Sequence, residues 1–284
     1  MELALEVKDL RKTYKQSSFE LKSVNIKLPK GCIMGFVGKN GAGKTTTIKA
    51  ILDVIQKDSG TIKVFGEDVE NIAVKENIAV VFDGISFMSD LTPNKLQNVL
   101  SDIYSNWNEA TYKKLLEKLD IPPTQKIKTL SRGMMMKLSI VIALSHNAKL
   151  LILDEPTAGL DPVVREEVLD LLLEFMQDED NSILMSSHIS SDLEKIADYI
   201  MFIDDGQIIM CEEKDKLIYE FGIARMKQAD FEKIDNYVAS RKRGLQIEVL
   251  IDNKKQFCKQ YPDIIVDNVT IDEMLPLLTK GVAM

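Results

Sequence analysis

Residues 32–46 read Cys-Ile-Met-Gly-Phe-Val-Gly-Lys-Asn-Gly-Ala-Gly-Lys-Thr-Thr. From Gly38 to Thr45 the stretch fits the pattern G-x-x-x-x-G-K-[ST] at every fixed position. Ahead of it, Cys32 to Val37 is an apolar run without alternation, which suits a strand buried on both faces of a sheet. Behind it, Thr45 to Ile55 reads as a helix. Strand, glycine loop, helix is the order that a phosphate-binding unit requires. The glycines Gly38, Gly41 and Gly43 let the backbone N–H groups around Lys39, Asn40 and Ala42 curl about phosphate oxygens. Lys44 is placed to reach the β and γ phosphates, and Thr45, followed by Thr46, offers its hydroxyl to Mg²⁺. The helix N-terminus adds a favourable dipole. The pattern therefore predicts a nucleotide site.

Working outward, the chain of 284 residues is 45% apolar and 28% charged, the balance of a globular protein of one or two domains. Disorder, a fibrous repeat and a small disulfide scaffold are all poor fits. Lys plus Arg number 36 against 44 Asp plus Glu, a net charge of -8. Nucleic acid is therefore not an expected partner, and any bound anion needs a local, purpose-built site. Cys32, Cys211 and Cys258 are widely spaced, and the only histidines are His146 and His188. This fits a reducing cytosol and disfavours a zinc site or disulfide framework. The start, MELALEVKDLRKTY, lacks an apolar signal core. Runs such as Leu138 to Leu144 fall well short of the roughly 18 residues a membrane span needs.

The pattern predicts an α/β fold. Leu3, Leu5 and Val7, then Val24, Ile26 and Leu28, alternate with polar neighbours and read as N-terminal strands. From about residue 85 to 148 helical spacing takes over. Leu96, Val99, Leu100, Ile103 and Trp107 form one set, and Tyr112, Leu115, Leu116 and Leu119 another. A further helix is expected from Ser131 to about Ser145. Lys149 to Asp154, Ser182 to Ser186 and Tyr199 to Ile203 read as buried strands separated by helices, which implies a mainly parallel core sheet. Asp161-Pro162 reads as a cap and first-turn proline. Residues 1–211 are thus expected to form one domain with a helical insertion, and 212–284 a small α/β appendage. In that appendage Leu245, Ile247, Val249 and Ile251 suggest a half-buried strand. Thr270 with Glu273 suggests a capping box, and Arg241-Lys242-Arg243 a solvated turn. Trp107 and His146 read as structural.

Lys149-Leu-Leu-Ile-Leu-Asp154-Glu155 is an apolar strand ending in two carboxylates. Beside a phosphate loop, such an Asp can hold Mg²⁺ and the following Glu can polarise an attacking water. With this pair in place the chain resembles an ATP-binding cassette (ABC) ATPase, the nucleotide-binding subunit of an ABC transporter. Leu130-Ser131-Arg132-Gly133-Met134 stands where that family has its L-S-G-G-Q signature. Ala158-Gly159-Leu160-Asp161 matches its D-loop, Ser187-His188 its switch histidine, and Tyr14 the aromatic residue that stacks on adenine. The resemblance covers about residues 3 to 211.

It implies a P-loop NTPase of ABC type with antiparallel N-terminal strands, and ATP and Mg²⁺ as ligands. Two cassettes, copies or paralogues, would pair head to tail. Ser131 and the Gly133 N–H would touch the γ-phosphate across the interface, and Asp161 would link the two sites. Glu155 would be the general base, His188 would steady the γ-phosphate and water, and Asp154 and Thr45 would serve Mg²⁺. Two positions depart from the family. In the signature, Arg132 and Met134 replace glycine and glutamine. Arg132 reads either as added charge near ATP or, preferably, as a solvated helix-start residue, and Met134-Met135-Met136 as helix packing. Asp83 occupies the Q-loop position, where a carboxylate can take over the glutamine's role at Mg²⁺ and the lytic water. After it, Ile85, Phe87, Met88 and Leu91 read either as a contact for a membrane subunit or as local core.

The resemblance therefore predicts an energy-coupling ATPase on the inner face of the cell membrane, joined to a separate permease. The single-cassette layout, the Asp in the Q-loop, the signature with its Met and the acidic α/β tail look similar to bacterial exporters of peptides, drugs or lipids. The alternative is a soluble ABC ATPase with no transport role. A repair-type relative is disfavoured because the stretch from Lys44 to Leu130 leaves no room for a long coiled coil. A GTPase is disfavoured because no N-K-x-D motif occurs.

Overall fold

The apolar run that precedes the glycine loop becomes a strand buried at every residue, inside the largest sheet. The structure, a computed structural model, describes residues 2–15, 18–82 and 89–283. β1 (Leu3–Thr13) and β2 (Glu20–Pro29) pair antiparallel, with Val7 opposite Ile26. β3 (Ile33–Val37) then enters the large sheet and hands the chain to α1 (Lys44–Ile51). β4 (Ser59–Val64) returns beside β1, and β5 (Glu67–Asp68) completes a first sheet of order β2-β1-β4-β5.

α2 (Ile72–Lys75) leads to β6 (Ile78–Val81), an edge of the large sheet. The helical part follows with α3 (Pro93–Ile103), α4 (Glu109–Lys118) and α5 (Arg132–Leu144). The remaining core elements are β7 (Leu150–Asp154), α6 (Pro162–Phe175), β8 (Ser182–Ser187), α7 (Ser190–Ile196), β9 (Tyr199–Asp204) and β10 (Gln207–Glu213). The six strands lie in the order β10-β9-β3-β8-β7-β6. All pair in parallel except the edge strand β10.

The two faces of this sheet bury separate cores, which is why its strands carry no polar alternation. Met34 and Phe36 of β3, with Leu150 and Ile152 of β7, pack toward the N-terminal sheet and α1. Ile33 and Val37, with Leu151 and Leu153, pack toward the helical part, α6 and α7. Tyr112 is fully buried there, and its hydroxyl donates to the Pro93 carbonyl at 3.0 Å, tying α4 to α3. Met136 is buried and Met134 and Met135 pack against the same core, so the methionine run is helix packing.

α1 ends at Ile51, short of the expected Ile55. Asp53 adopts a left-handed φ of 56°, and the N–H groups of Val54 and Ile55 both turn back to the Lys49 carbonyl. That reversal stops the helix.

β10 runs through Glu213, and α8 (Lys214–Tyr219) follows it. Beyond lie β11 (Gly222–Met226), α9 (Gln228–Phe231), β12 (Ala239–Arg243), β13 (Gln246–Ile251), α10 (Lys254–Gln260), β14 (Val266–Asp267), α11 (Ile271–Lys280) and β15 (Val282–Ala283). The strands form an antiparallel sheet of order β14-β11-β13-β12-β15. Thr270 and Glu273 make the capping box of α11.

Two expectations fail here. β13 is buried on both faces rather than one, because Leu250 packs into the main core while Val249 and Ile251 fill a smaller one. Leu245 precedes the strand and is 96% exposed. Arg241-Lys242-Arg243 is no solvated turn but part of β12, and both arginines reach the buried Glu248 of β13, at 2.5 and 3.4 Å. Burial alone would raise the Glu248 pKa. The hydrogen bonds and charges of Arg241 and Arg243 overcome that and hold it below the usual carboxylate range.

His146 follows α5 and is 3% exposed, stacked on Tyr104 with ring centres 4.3 Å apart. Its two ring nitrogens face the carbonyls of Ile142 and Ile78 at 3.4 and 3.3 Å. Burial depresses its pKa below the ordinary 6.5, outweighing the two carbonyls that favour the charged ring. The unfolded chain therefore binds this proton more readily than the native one. The contribution to stability is intact above pH 6.5 and is lost as pH falls through the folded-state value. His146→Phe, which keeps an aromatic ring against Tyr104, should flatten the decline in unfolding free energy between pH 6.5 and 5, measured by urea titration at each pH.

Candidate functional site

The glycine loop is shaped by what lies behind it. A Cβ on Gly38 would sit 2.6 Å from the Ile203 carbonyl of β9, so only glycine lets the loop leave β3 this close to its neighbour. Gly43 has φ 116°, and a Cβ there would meet Phe19 and Leu21 at 3.0 Å. The Ala42 carbonyl accepts from Gly206 N–H at 2.9 Å, which ties the loop to the β9–β10 turn. Lys39 pairs with Asp204 at the end of β9, at 2.8 Å, and that hydrogen bond and charge raise the lysine's pKa.

Lys44, at the start of α1, is 6% exposed. Its ammonium donates to the Gly38 carbonyl at 2.6 Å and lies 3.3 Å from Glu155 Oε1. Thr45 Oγ1 donates to Asp154 Oδ2 at 2.7 Å, and Asp154, the last residue of β7, is buried. Glu155 follows with φ 54°, a left-handed conformation uncommon outside glycine. That turn aims its carboxylate between Lys44 and His188. Glu155 Oε2 accepts the His188 backbone N–H at 3.0 Å and lies 2.5 Å from Nδ1. A carboxylate only accepts, so the imidazole proton of this bond sits on Nδ1.

Lys44, Thr45 and Glu155 border a cavity of about 350 Å³, walled also by Phe19, Lys39, Asn40, Gly41, Gly43 and Thr46, whereas Asp154 and His188 stand outside its walls. A larger cavity, about 510 Å³, lies between β11, β12, β13 and α11. Its arginines are already matched by Glu248, Glu273 and Asp267, so chemistry rather than size singles out the loop cavity.

Phe19 was not read from the sequence as a site residue. Its signal was an aromatic residue just ahead of a strand that returns to the loop. Tyr14 is not among the cavity's walls; its ring lies under the Lys12 ammonium at 5.5 Å. Ser131, Gly133 and Asp161 also stand outside the cavity. Ser131 caps α5, its Oγ accepting from Met134 N–H at 3.2 Å. A Cβ on Gly133 would come 3.3 Å from Val164 of α6. Asp161 Oδ1 accepts from Val163 and Val164 N–H, both at 3.1 Å, capping α6. Arg132 is exposed, but it is not merely solvated: a Cβ on Gly159 would lie 2.7 Å from its guanidinium. Asp83, Ile85, Phe87 and Met88 lie outside the described residues, whereas Leu91 packs against the main core.

A family model described as ABC transporter matches residues 21–158. The ABC transporter ATP-binding protein YtrB of Bacillus subtilis is 35% identical over 202 residues, 71% of this chain and 69% of that protein. The bacitracin transport ATP-binding protein BcrA of Enterococcus faecalis is 31% identical over 245 residues, 85% of this chain and 78% of that one. The lantibiotic transport ATP-binding protein SrtF of Streptococcus pyogenes is 34% identical, covering 74% and 91%. Among solved structures, an ATP-binding subunit of an ABC transporter superposes with a TM-score of 0.68 at 27% identity, over 75% of this chain and 91% of that one. On this identity and coverage the chain belongs to the ABC transporter family as one of its ATP-binding subunits.

Proposed function

We propose that this chain hydrolyses ATP to drive export of amphipathic or peptide-like molecules through a separate membrane permease. The observation that carries the reading is the contact chain in which Lys44, Thr45 and Glu155 on the wall of the loop cavity are joined to Asp154 and His188 behind it. Relatives named for bacitracin and lantibiotic transport favour that class of cargo. Among the described residues no helix is long and apolar enough to cross a membrane, so the path for cargo belongs to the permease. The chain would dock on the permease from the cytoplasmic side, with residues 1–211 as the cassette and 212–284 as an appendage packed on it.

Lys44 would exchange Glu155 for the β and γ phosphates, while the loop N–H groups around Lys39, Asn40, Gly41, Ala42, Gly43 and Thr46 cradle their oxygens. Glu155, once released, accepts the proton of the attacking water. His188 then steadies that water and the γ-phosphate. The Thr45 hydroxyl and the Asp154 carboxylate, 2.7 Å apart, are hard oxygen donors that fit Mg²⁺. The ion would neutralise charge on the β and γ phosphates. Ser131 and Gly133, outside the cavity of their own chain, would complete the site of a second cassette, a copy or a paralogue. Asp161 would connect the two sites.

Removing a general base slows turnover by about 10²-fold to 10⁴-fold. Glu155→Gln should lose ATPase activity to that extent yet still bind ATP. By light scattering its mass should move from 32.0 kDa to about twice that only with Mg-ATP. Persistence as a monomer with ATP bound would reject pairing between copies and point to a paralogue. Tyr14 is the proposed adenine platform, and base stacking is worth about 1–3 kcal/mol. Tyr14→Ala should weaken ATP binding about 10-fold and leave tripolyphosphate binding unchanged. Phe19→Ala, which removes the ring behind Gly43, should weaken both ligands in the same calorimetric titrations.

A further inference from the structure

We propose that Ser186 is a positioning residue that holds both carboxylates of the hydrolysis site in register, Asp154 by its side chain and Glu155 by its backbone. The inference rests on the ATPase reading above. Ser186 is 0% exposed on β8, directly opposite Asp154 in the parallel β7–β8 ladder. Its Oγ donates to Asp154 Oδ1 at 2.6 Å. The same oxygen accepts the Glu155 N–H at 3.1 Å, and the Ser186 carbonyl lies 3.1 Å from that N–H as well.

The direction of this relay is fixed by chemistry. An ionised carboxylate has no proton to give, so the single hydroxyl proton of Ser186 must point at Asp154. The lone pairs of Oγ are then left for Glu155 N–H. Asp154 thereby has one oxygen on the Ser186 hydroxyl and the other on the Thr45 hydroxyl, at 2.6 and 2.7 Å, which fixes the plane of the carboxylate. Glu155, for its part, holds a left-handed φ of 54°. Such a conformation persists in a non-glycine residue only when its surroundings over-determine it. The two bonds from its N–H to Ser186 are that restraint, and they aim the side chain at Lys44 and His188. No other serine or threonine among the described residues bonds to both acids.

Outer partners of metal-binding carboxylates change metal affinity by about 10-fold to 100-fold when removed. The test uses the full chain and calorimetric ATP titrations over a series of Mg²⁺ concentrations and in EDTA, beside steady-state ATPase assays. For Ser186→Ala we expect a Mg²⁺ half-saturation raised about 10-fold and a kcat lowered about 10-fold. ATP affinity in EDTA and the KM for Mg-ATP at saturating Mg²⁺ should change less than about two-fold. Ser186→Thr, which keeps the hydroxyl, should restore both quantities. A Ser186→Ala chain with wild-type Mg²⁺ half-saturation and kcat overturns the proposal. So does an equal loss of ATP affinity with Mg²⁺ and in EDTA, which marks Ser186 as packing alone. A wild-type chain that binds ATP equally with Mg²⁺ and in EDTA overturns the Mg²⁺ reading itself, and the proposal with it.

Discussion

A lysine ammonium that is 6% exposed cannot be left without compensation, and the loop around Lys44 is built on that requirement. Stripping water from a single ion costs several kcal/mol, recovered only through well-placed partners. Here the partners are the Gly38 carbonyl inside the loop and the Glu155 carboxylate from the next strand but one. The backbone that presents them is held by close approaches at Gly38 and Gly43, where any side chain would strike β9, Leu21 or Phe19. The phosphate cradle is therefore formed in advance. In the proposed mechanism a triphosphate arriving at it would take over the role of an internal anion, and the displaced anion would be the group that acts on water. On that proposal, ligand binding and arming of the base would be two sides of one exchange.

The residues proposed for the second half-site sit on a different surface. Small residues let α5 and α6 meet there: Gly133 lies against Val164, and Gly159 lies under the Arg132 guanidinium. The cap of α5 at Ser131 and the cap of α6 at Asp161 are thus fixed to one another as a unit. A displacement of the signature loop would carry the D-loop with it. That is the mechanical property a trans-acting half-site needs if its engagement is to be sensed by the chain that supplies it.

Much of this was legible in the sequence because it depends on short-range rules. The glycine loop, the helix start at Asp161-Pro162 and the capping box at Thr270 all follow from local backbone chemistry. The buried strands were visible because a sheet covered on both faces demands unbroken apolar runs. What was hidden depends on partners distant in sequence. Ser186 looked like any polar strand residue until the β7–β8 register set it opposite Asp154. Phe19 offered only the weak signal of an aromatic residue ahead of a strand, since its contact with the loop is made only when β2 folds beside α1. The arginines of β12 looked solvated because Glu248, their counter-charge, is brought to them by a hairpin that the pattern of Leu245 and Ile247 did not resolve. The early end of α1 turned on one left-handed residue, Asp53, that spacing alone could not identify.

The C-terminal sheet does not stand apart from the rest. Ile223, Ala239 and Leu250 on its inner face, and Met274 and Leu277 of α11, share one apolar core with the strands and helices of the nucleotide-binding part. The Ile271 N–H at the start of α11 is also anchored on Glu194 of α7 at 3.0 Å. The C-terminal sheet and the nucleotide-binding part therefore share one apolar core across residue 212. A fragment ending there would bare the outer flank of α7, the helix that directly follows His188.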